Sequence, residues 1–103
     1  MQMFAKKRVE ILIERALLKR LTEELVRTGV SGFSVVPLAA GRGQAGPWDS
    51  DGQIGDAAGM FALWCIVDPA RLEGLLQVVF AIVSRQVGLV SVSDVEVVRP
   101  ERF

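Results

Sequence analysis

The 103 residues suffice for one domain, spanning 1–103, whose core needs no metal or disulfide. Twelve basic residues balance twelve acidic ones, and zero net charge argues against a general binder of nucleic acid or anionic membranes, because both need a positive field. The chain contains no histidine, which excludes histidine-based catalysis and ordinary histidine-ligated zinc, and we expect neither an enzyme nor a metal site.

The first half of the chain alternates between a strand, a helix and a second strand. Apolar residues at every second position predict a strand over Lys6–Glu14. From Arg15 the apolar period becomes helical, and Gly29 supplies the helix stop. The run FSVVPL, Phe33–Leu38, predicts a second strand, whose Pro37 indicates an edge strand or a strand end.

A long loop follows. The stretch from Leu38 to Gly59 contains six of the ten glycines and shows no hydrophobic period. Loops of about twenty residues are uncommon in a small domain and are usually functional or disordered. We expect residues Ala39–Ala58 to be wholly or partly disordered until a ligand or partner fixes them. Three aspartates here lack the spacing of a full calcium loop and are interpreted as solvated acids, namely Asp49, Asp51 and Asp56.

The second half repeats the pattern of the first. GMFALWCIV, Gly59–Val67, is a nearly continuous apolar run and predicts a third strand. Asp68 is expected as the N-cap, with Pro69 at the first helical position, of a helix that ends near Gln86. The alternating run GLVSVSDVEVV, Gly88–Val98, predicts the last strand.

The order β-α-β-loop-β-α-β predicts an α+β ferredoxin-like fold, βαββαβ, with four antiparallel strands and both helices on one face. Helices then cover one side of the sheet only. Leu12, Val36 and Leu63 cannot all point to the helix side, so we expect an apolar open face. Another subunit usually covers such a face.

Four stretches together resemble the PII signal-transduction family, and within it the PII-like proteins of inorganic-carbon uptake and carboxysome systems. They are LLKRLTEELVRTGVSGFSVV, AAGRGQAG, VDPARLEGLLQVVFAI and VGLVSVSDVEVVRPERF. The resemblance implies a homotrimer whose lateral clefts bind adenine nucleotides. It also implies that residues 39–58 are a T-loop, which changes conformation with ligand and docks on target proteins.

The sequence departs from the family pattern in three places. It has no tyrosine, which excludes uridylylation of the T-loop. The glycine-lysine-glycine B-loop is replaced by SRQVGLV, and the lysine at the start of the third strand is replaced by Gly59 or Met60. With two phosphate-binding cations lost, we expect ADP or AMP rather than ATP, and bicarbonate is a further ligand that the resemblance implies.

The nucleotide site combines residue chemistry with the resemblance. Glycines let successive backbone N–H groups converge on an anion, and the guanidinium of Arg42 adds a fixed charge. A flexible glycine-rich loop is the alternative. One of the two tail arginines is expected to reach a phosphate across from a neighbouring subunit. The expected nucleotide-binding residues are Ser34, Gly41, Arg42, Gly43, Gln44, Gly88, Leu89, Arg99 and Arg102.

Two tryptophans have different expected roles. Trp48 lies within the loop, where an aromatic side chain is a candidate anchor for a partner protein. Trp64 lies within a strand and is expected in the core or at the subunit interface.

The resemblance implies a cytoplasmic regulator of inorganic-carbon uptake or fixation. It would act by docking its T-loop on a transporter or a carboxysome component. A trimer that organises other proteins without sensing a ligand is the alternative.

Overall fold

The computed structural model describes residues 1–43, 46–49, 59–84, 86 and 88–103, together with the backbone but not the side chains of Trp48 and Asp49. These residues form six strands, two α-helices and two 3-10 turns. The strands are β1 (Phe4–Glu14), β2 (Ser34–Leu38), β3 (Ala40–Gly43), β4 (Gly46–Asp49), β5 (Met60–Val67) and β6 (Gly88–Val97). The helices are α1 (Arg15–Arg27) and α2 (Leu72–Val83), and the 3-10 turns are Pro69–Arg71 and Pro100–Arg102.

Four strands form one antiparallel sheet in the order β2-β5-β1-β6. This order confirms the predicted ferredoxin-like fold. It also confirms the interpretation of Pro37, because β2 lies at the edge of the sheet, where a residue without an N–H is tolerated.

The core lies between one face of the sheet and the two helices. The odd-numbered residues of β1 from Val9 to Ile13 and of β5 from Leu63 to Val67 point into it, as the alternation of β1 predicted, so Leu63 lies in the core rather than on the open face. Burial of each such aliphatic side chain contributes about 1.5–3 kcal/mol. The fully buried side chains are Val9, Ile11, Ile13, Leu21, Leu25, Leu63, Cys65 and Val79.

Helix α1 ends in a Schellman motif at the predicted glycine. Gly29 has a φ of 85°, and its N–H donates to the carbonyl of Val26 at 3.1 Å. The N–H of Val30 donates to the carbonyl of Leu25 at 3.1 Å. Both bonds satisfy carbonyls that the helix end would otherwise leave unpaired. The chain therefore leaves α1 in a fixed direction towards β2.

Arg71 joins the end of α1 to the start of α2. Its guanidinium donates to the carbonyl of Thr28 at 2.7 Å and to that of Gly29 at 3.0 Å. A cation at a helix C-terminus is favoured by the helix dipole. The contact fixes the α1–β2 connection against the second half of the chain.

The start of α2 differs from the prediction. Pro69 opens a 3-10 turn, α2 begins only at Leu72, and the side chain of Asp68 caps no N–H. The carboxylate accepts a hydrogen bond from the Nζ of Lys6 instead, because this lysine is only 8% exposed and needs a counter-charge. The expected end of the helix near Gln86 was also wrong, since α2 ends at Val83.

The first part of the loop is a β-hairpin, which the sequence did not predict. Strand β3 pairs with β4 in a register that runs from Ala40 opposite Asp49 to Gly43 opposite Gly46. Glycine-rich strands show no hydrophobic alternation, so the sequence pattern could not reveal this pairing. Residues 50–58 of the predicted loop lie outside the described residues.

The open face of the sheet is apolar only in part, which corrects the expected apolar face. One row across the four strands is apolar and consists of Val36, Ala62, Leu12 and Leu89. The row two residues away is largely polar and consists of Ser34, Trp64, Glu10 and Ser91. Val36 and Leu89 are 43% and 59% exposed, so the apolar row is open to a second copy of the chain.

Candidate functional site

The loop hairpin and the start of β6 lie at the same end of the sheet. Leu38 pairs with Met60, Met60 pairs with Glu14, and the neighbouring Ile13 pairs with Gly88. Three strand spacings, about 14 Å, separate β2 from β6 across the sheet. Two of the predicted groups of nucleotide-binding residues therefore lie at one end of the sheet, on its opposite edges.

The hairpin determines which groups an anion could meet at its base. Arg42 is paired with Pro47, which has no N–H, so this pair is not the doubly hydrogen-bonded kind. By alternation, Gly41 and Gly43 direct their N–H groups to the partner strand. In this conformation an anion would meet the outward N–H and the exposed guanidinium of Arg42.

Gly88 has a packing reason as well as a candidate functional one. A Cβ at this position would lie 3.3 Å from the carbonyl oxygen of Leu12 and 3.3 Å from the Cβ of Val83. The close approach of β1 and α2 thus favours glycine here. The next residue, Leu89, is exposed on the open face beside Leu12.

Ser34 is exposed and lies directly across from Trp64 on the open face. The guanidinium carbon of Arg8 lies 5.2 Å from the centroid of the Trp64 ring, within the range of a cation–π contact. Arg8 also forms an ion pair with Glu10 at 3.1 Å. Trp64 is half-buried on this face and outside the helix-covered core, which leaves the subunit interface as its expected place.

The arginines of the C-terminal segment lie at the other end of the sheet. Arg99 pairs with Glu101 at 3.2 Å, with both side chains about 60% exposed. Arg102 ends the 3-10 turn Pro100–Arg102, which we call the tail turn. Its carbonyl accepts a hydrogen bond from the hydroxyl of Ser31 at 2.7 Å. Across the described part of the chain, the guanidinium of Arg102 forms no ion pair.

The hairpin end of the sheet and the end that carries the tail arginines are too far apart for one nucleotide to contact both within a single chain. Gly88 pairs with Ile13 and Val97 pairs with Phe4, nine residues earlier on β1. At about 3.3 Å per residue this corresponds to roughly 30 Å. A nucleotide at the hairpin end could meet the tail arginines only if another copy of the chain supplied them.

Arg15 is a cation at the hairpin end that the sequence interpretation did not single out. Its N–H donates to the carbonyl of Gly59 at 3.1 Å, and its guanidinium carbon lies 4.7 Å from the centroid of the Phe61 ring. A cation in the first turn of a helix opposes the helix dipole. That local conflict was the available signal that Arg15 makes contacts outside its helix.

Gln44 and the side chain of Trp48 lie outside the described residues.

Within the ranges that the structure does describe, no three acidic or cysteine side chains gather as metal ligands. No helix there combines the length and apolarity that a membrane crossing requires.

The amino-acid sequence identifies the family to which this chain belongs. The family model for nitrogen regulatory protein P-II matches residues 6–102, and the chain belongs to this family. Among curated proteins, none matches the chain in sequence.

Solved structures of PII-like proteins share the fold. CPII, a nitrogen regulatory PII-like protein from Thiomonas intermedia, was solved bound to ADP, AMP and bicarbonate. It is 25% identical, has a TM-score of 0.90, and is matched over 99% of this chain and 96% of its own. A PII-like signalling protein from Thermus thermophilus is 27% identical, with a TM-score of 0.80 and coverage of 100% and 99%. The GlnK–ATP complex of B. subtilis, at 16% identity, a TM-score of 0.63 and coverage of 88% and 82%, shares the fold alone.

Proposed function

We propose that this chain is a regulatory PII-like protein that binds ADP or AMP, takes bicarbonate as a further ligand, and acts without catalysis. The observation that carries the proposal is the similarity over nearly the whole chain to CPII, which was solved with these three ligands. The family match supports the regulatory class.

The nucleotide would bind in a cleft between two copies of the chain. The hairpin base and the start of β6 would come from one copy, and the tail turn from its neighbour. The separation of roughly 30 Å between Gly88 and Val97 along the sheet supports this division, because no single chain can join the two groups. In this arrangement Arg42 and the tail arginines would face the phosphates from opposite sides.

The available cations favour a nucleotide with few phosphates. The segment SRQVGLV, which runs from the end of α2 into β6, contains no lysine. Among the expected site residues, the cations for the phosphates are then Arg42 and one of the tail arginines, of which Arg99 must first leave Glu101. A guanidinium also matches the geometry of a planar anion such as bicarbonate, which it can bind through two parallel hydrogen bonds.

A homotrimer would provide the cleft. The exposed apolar row with Val36 and Leu89 supports self-association, because a monomer would leave this row in water. Light scattering at micromolar concentration should give the mass of three chains. A monomer would contradict both the trimer and the cleft.

The loop would carry the signal to a partner protein. A ligand can shift the hairpin only by binding one loop state better than another, so the signal must start at Gly41–Gly43. It would be transmitted to Trp48 on β4, and we propose a transporter or carboxysome component of inorganic-carbon handling as the target. Hydrogen exchange tests this step: equal protection of Gly41–Gly43 in all ligand states would remove the loop from the mechanism.

Variants test the cleft residues directly. Arg42→Ala and Arg102→Ala should each weaken ADP binding, because each removes a charge at the phosphates. Arg20→Ala is the matched control, since Arg20 is an exposed arginine on the helix layer. If the control weakened binding as much as the two cleft variants, the loss would reflect net charge rather than a site.

A further inference from the structure

One hydrogen bond links the α1–β2 connection to the tail turn across 71 residues of sequence. The hydroxyl of Ser31 donates to the carbonyl of Arg102 at 2.7 Å. The bonds within the tail turn are longer, at 3.2 Å from the Arg102 N–H and 3.3 Å from the Phe103 N–H. The bond from Ser31 therefore ties this turn to a distant part of the chain.

Ser31 is itself held in place. It directly follows the Schellman motif of α1, in which Gly29 and Val30 donate to the helix carbonyls. Arg71 then fixes the carbonyl of Gly29 from the side of α2. A donor on such a supported connection loses little freedom when it forms its bond, so the bond is suited to orient its acceptor.

The acceptor is the backbone carbonyl of Arg102, and the side chain of the same residue is the one proposed to contact the nucleotide. A fixed carbonyl holds the backbone of Arg102 in place and so sets the direction in which its side chain leaves the backbone. Among the described residues that guanidinium has no ion-pair partner, whereas Arg99 is already paired with Glu101. The contact thus orients the one tail arginine whose charge is available.

We propose that Ser31 is a positioning residue for nucleotide binding, which holds the tail turn so that Arg102 meets the phosphate of a nucleotide bound against the neighbouring copy. This inference rests on the proposed function. Ser31 touches no ligand in this account and acts through Arg102. Removing the hydroxyl should leave the cation present but spread over many positions.

The test is a double-mutant cycle read by ADP titration. Loss of one such hydrogen bond corresponds to about a fivefold weakening. Ser31→Ala should weaken ADP binding by about that factor, and Ser31→Thr, which keeps the hydroxyl, should restore it. In an Arg102→Ala background, Ser31→Ala should have no further effect. Hydrogen exchange of the Arg102 and Phe103 amides should be faster in unliganded Ser31→Ala than in the wild type.

The matched control is Thr22→Ala, which removes another exposed hydroxyl bond, 3.0 Å from Thr22 to the carbonyl of Lys19 on α1. It should leave ADP affinity unchanged. Wild-type affinity in Ser31→Ala, or an undiminished effect without Arg102, would overturn the inference. If the wild type binds no adenine nucleotide, the proposed function fails and the inference with it, a result distinct from wild-type binding that Ser31→Ala leaves unchanged.

Discussion

Two glycine-to-alanine substitutions should change stability in opposite directions. Gly29 has a φ of 85°, and a Cβ there would lie 2.9 Å from the Nη2 of Arg71. Gly74 lies within helix α2, where a Cβ would meet nothing within 4 Å. The same chemical change thus meets strain and collision at one position and open space at the other.

The cost at Gly29 has two parts. An alanine in the left-handed region costs about 1–2 kcal/mol. The Nη2 of Arg71 must also move, and it now donates to the carbonyl of Thr28 at 2.7 Å. Loss of that bond at an exposed site adds about 1 kcal/mol. The Gly29→Ala substitution should therefore lower the free energy of unfolding by roughly 2–3 kcal/mol.

Gly74→Ala should raise the free energy of unfolding by about 0.5–1 kcal/mol, because alanine loses less backbone entropy in a helix. Both changes are measured by urea denaturation at one fixed protein concentration, since association would otherwise shift the midpoint. In an Arg71→Ala background the cost of Gly29→Ala should fall by the part due to the collision. Equal effects of the two alanines would refute the assignment of the α1 C-terminus.

Three further outcomes are expected. Arg102→Ala should weaken ADP binding more than Arg99→Ala, and the reverse order would contradict the account of the tail turn. Burial raises the pKa of Cys65 from 9.0 to about 11, so above pH 9 the unfolded chain releases a proton that the folded chain keeps. Stability should then fall between pH 9 and 11 more steeply in the wild type than in Cys65→Ala, and parallel pH profiles would show that the thiol does not titrate this way. Hydrogen exchange should be slower at the Gly41 amide than at the Arg42 amide, and the opposite order would refute the hairpin register.

Periodic segments were predictable from sequence, and contacts between distant segments were not. The alternation of β1 and the stop at Gly29 depend on neighbouring residues, so the fold could be predicted with strand ends within a few residues. The role of Asp68 could not, because its partner Lys6 lies 62 residues away. The bond from Ser31 to Arg102 escaped prediction for the same reason.

The candidate site was predictable only as a set of residues. Nothing in the sequence indicated that Gly88 and Arg102 occupy opposite ends of the sheet, because that separation depends on the pairing of β6 with β1. The hairpin could not be predicted either, because β3 consists of alanine, glycine and arginine and presents no apolar face. Glycines that permit a loop also permit a narrow two-stranded ribbon.

The central claim is that the chain binds an adenine nucleotide with few phosphates. Calorimetric titration of the wild-type protein with ADP, AMP and ATP, each with and without bicarbonate, tests it most directly. We predict saturable binding of ADP or AMP at one site per chain, tighter than that of ATP. Absence of binding by every adenine nucleotide at millimolar concentration would contradict the claim and leave a trimer that assembles other proteins without sensing a ligand.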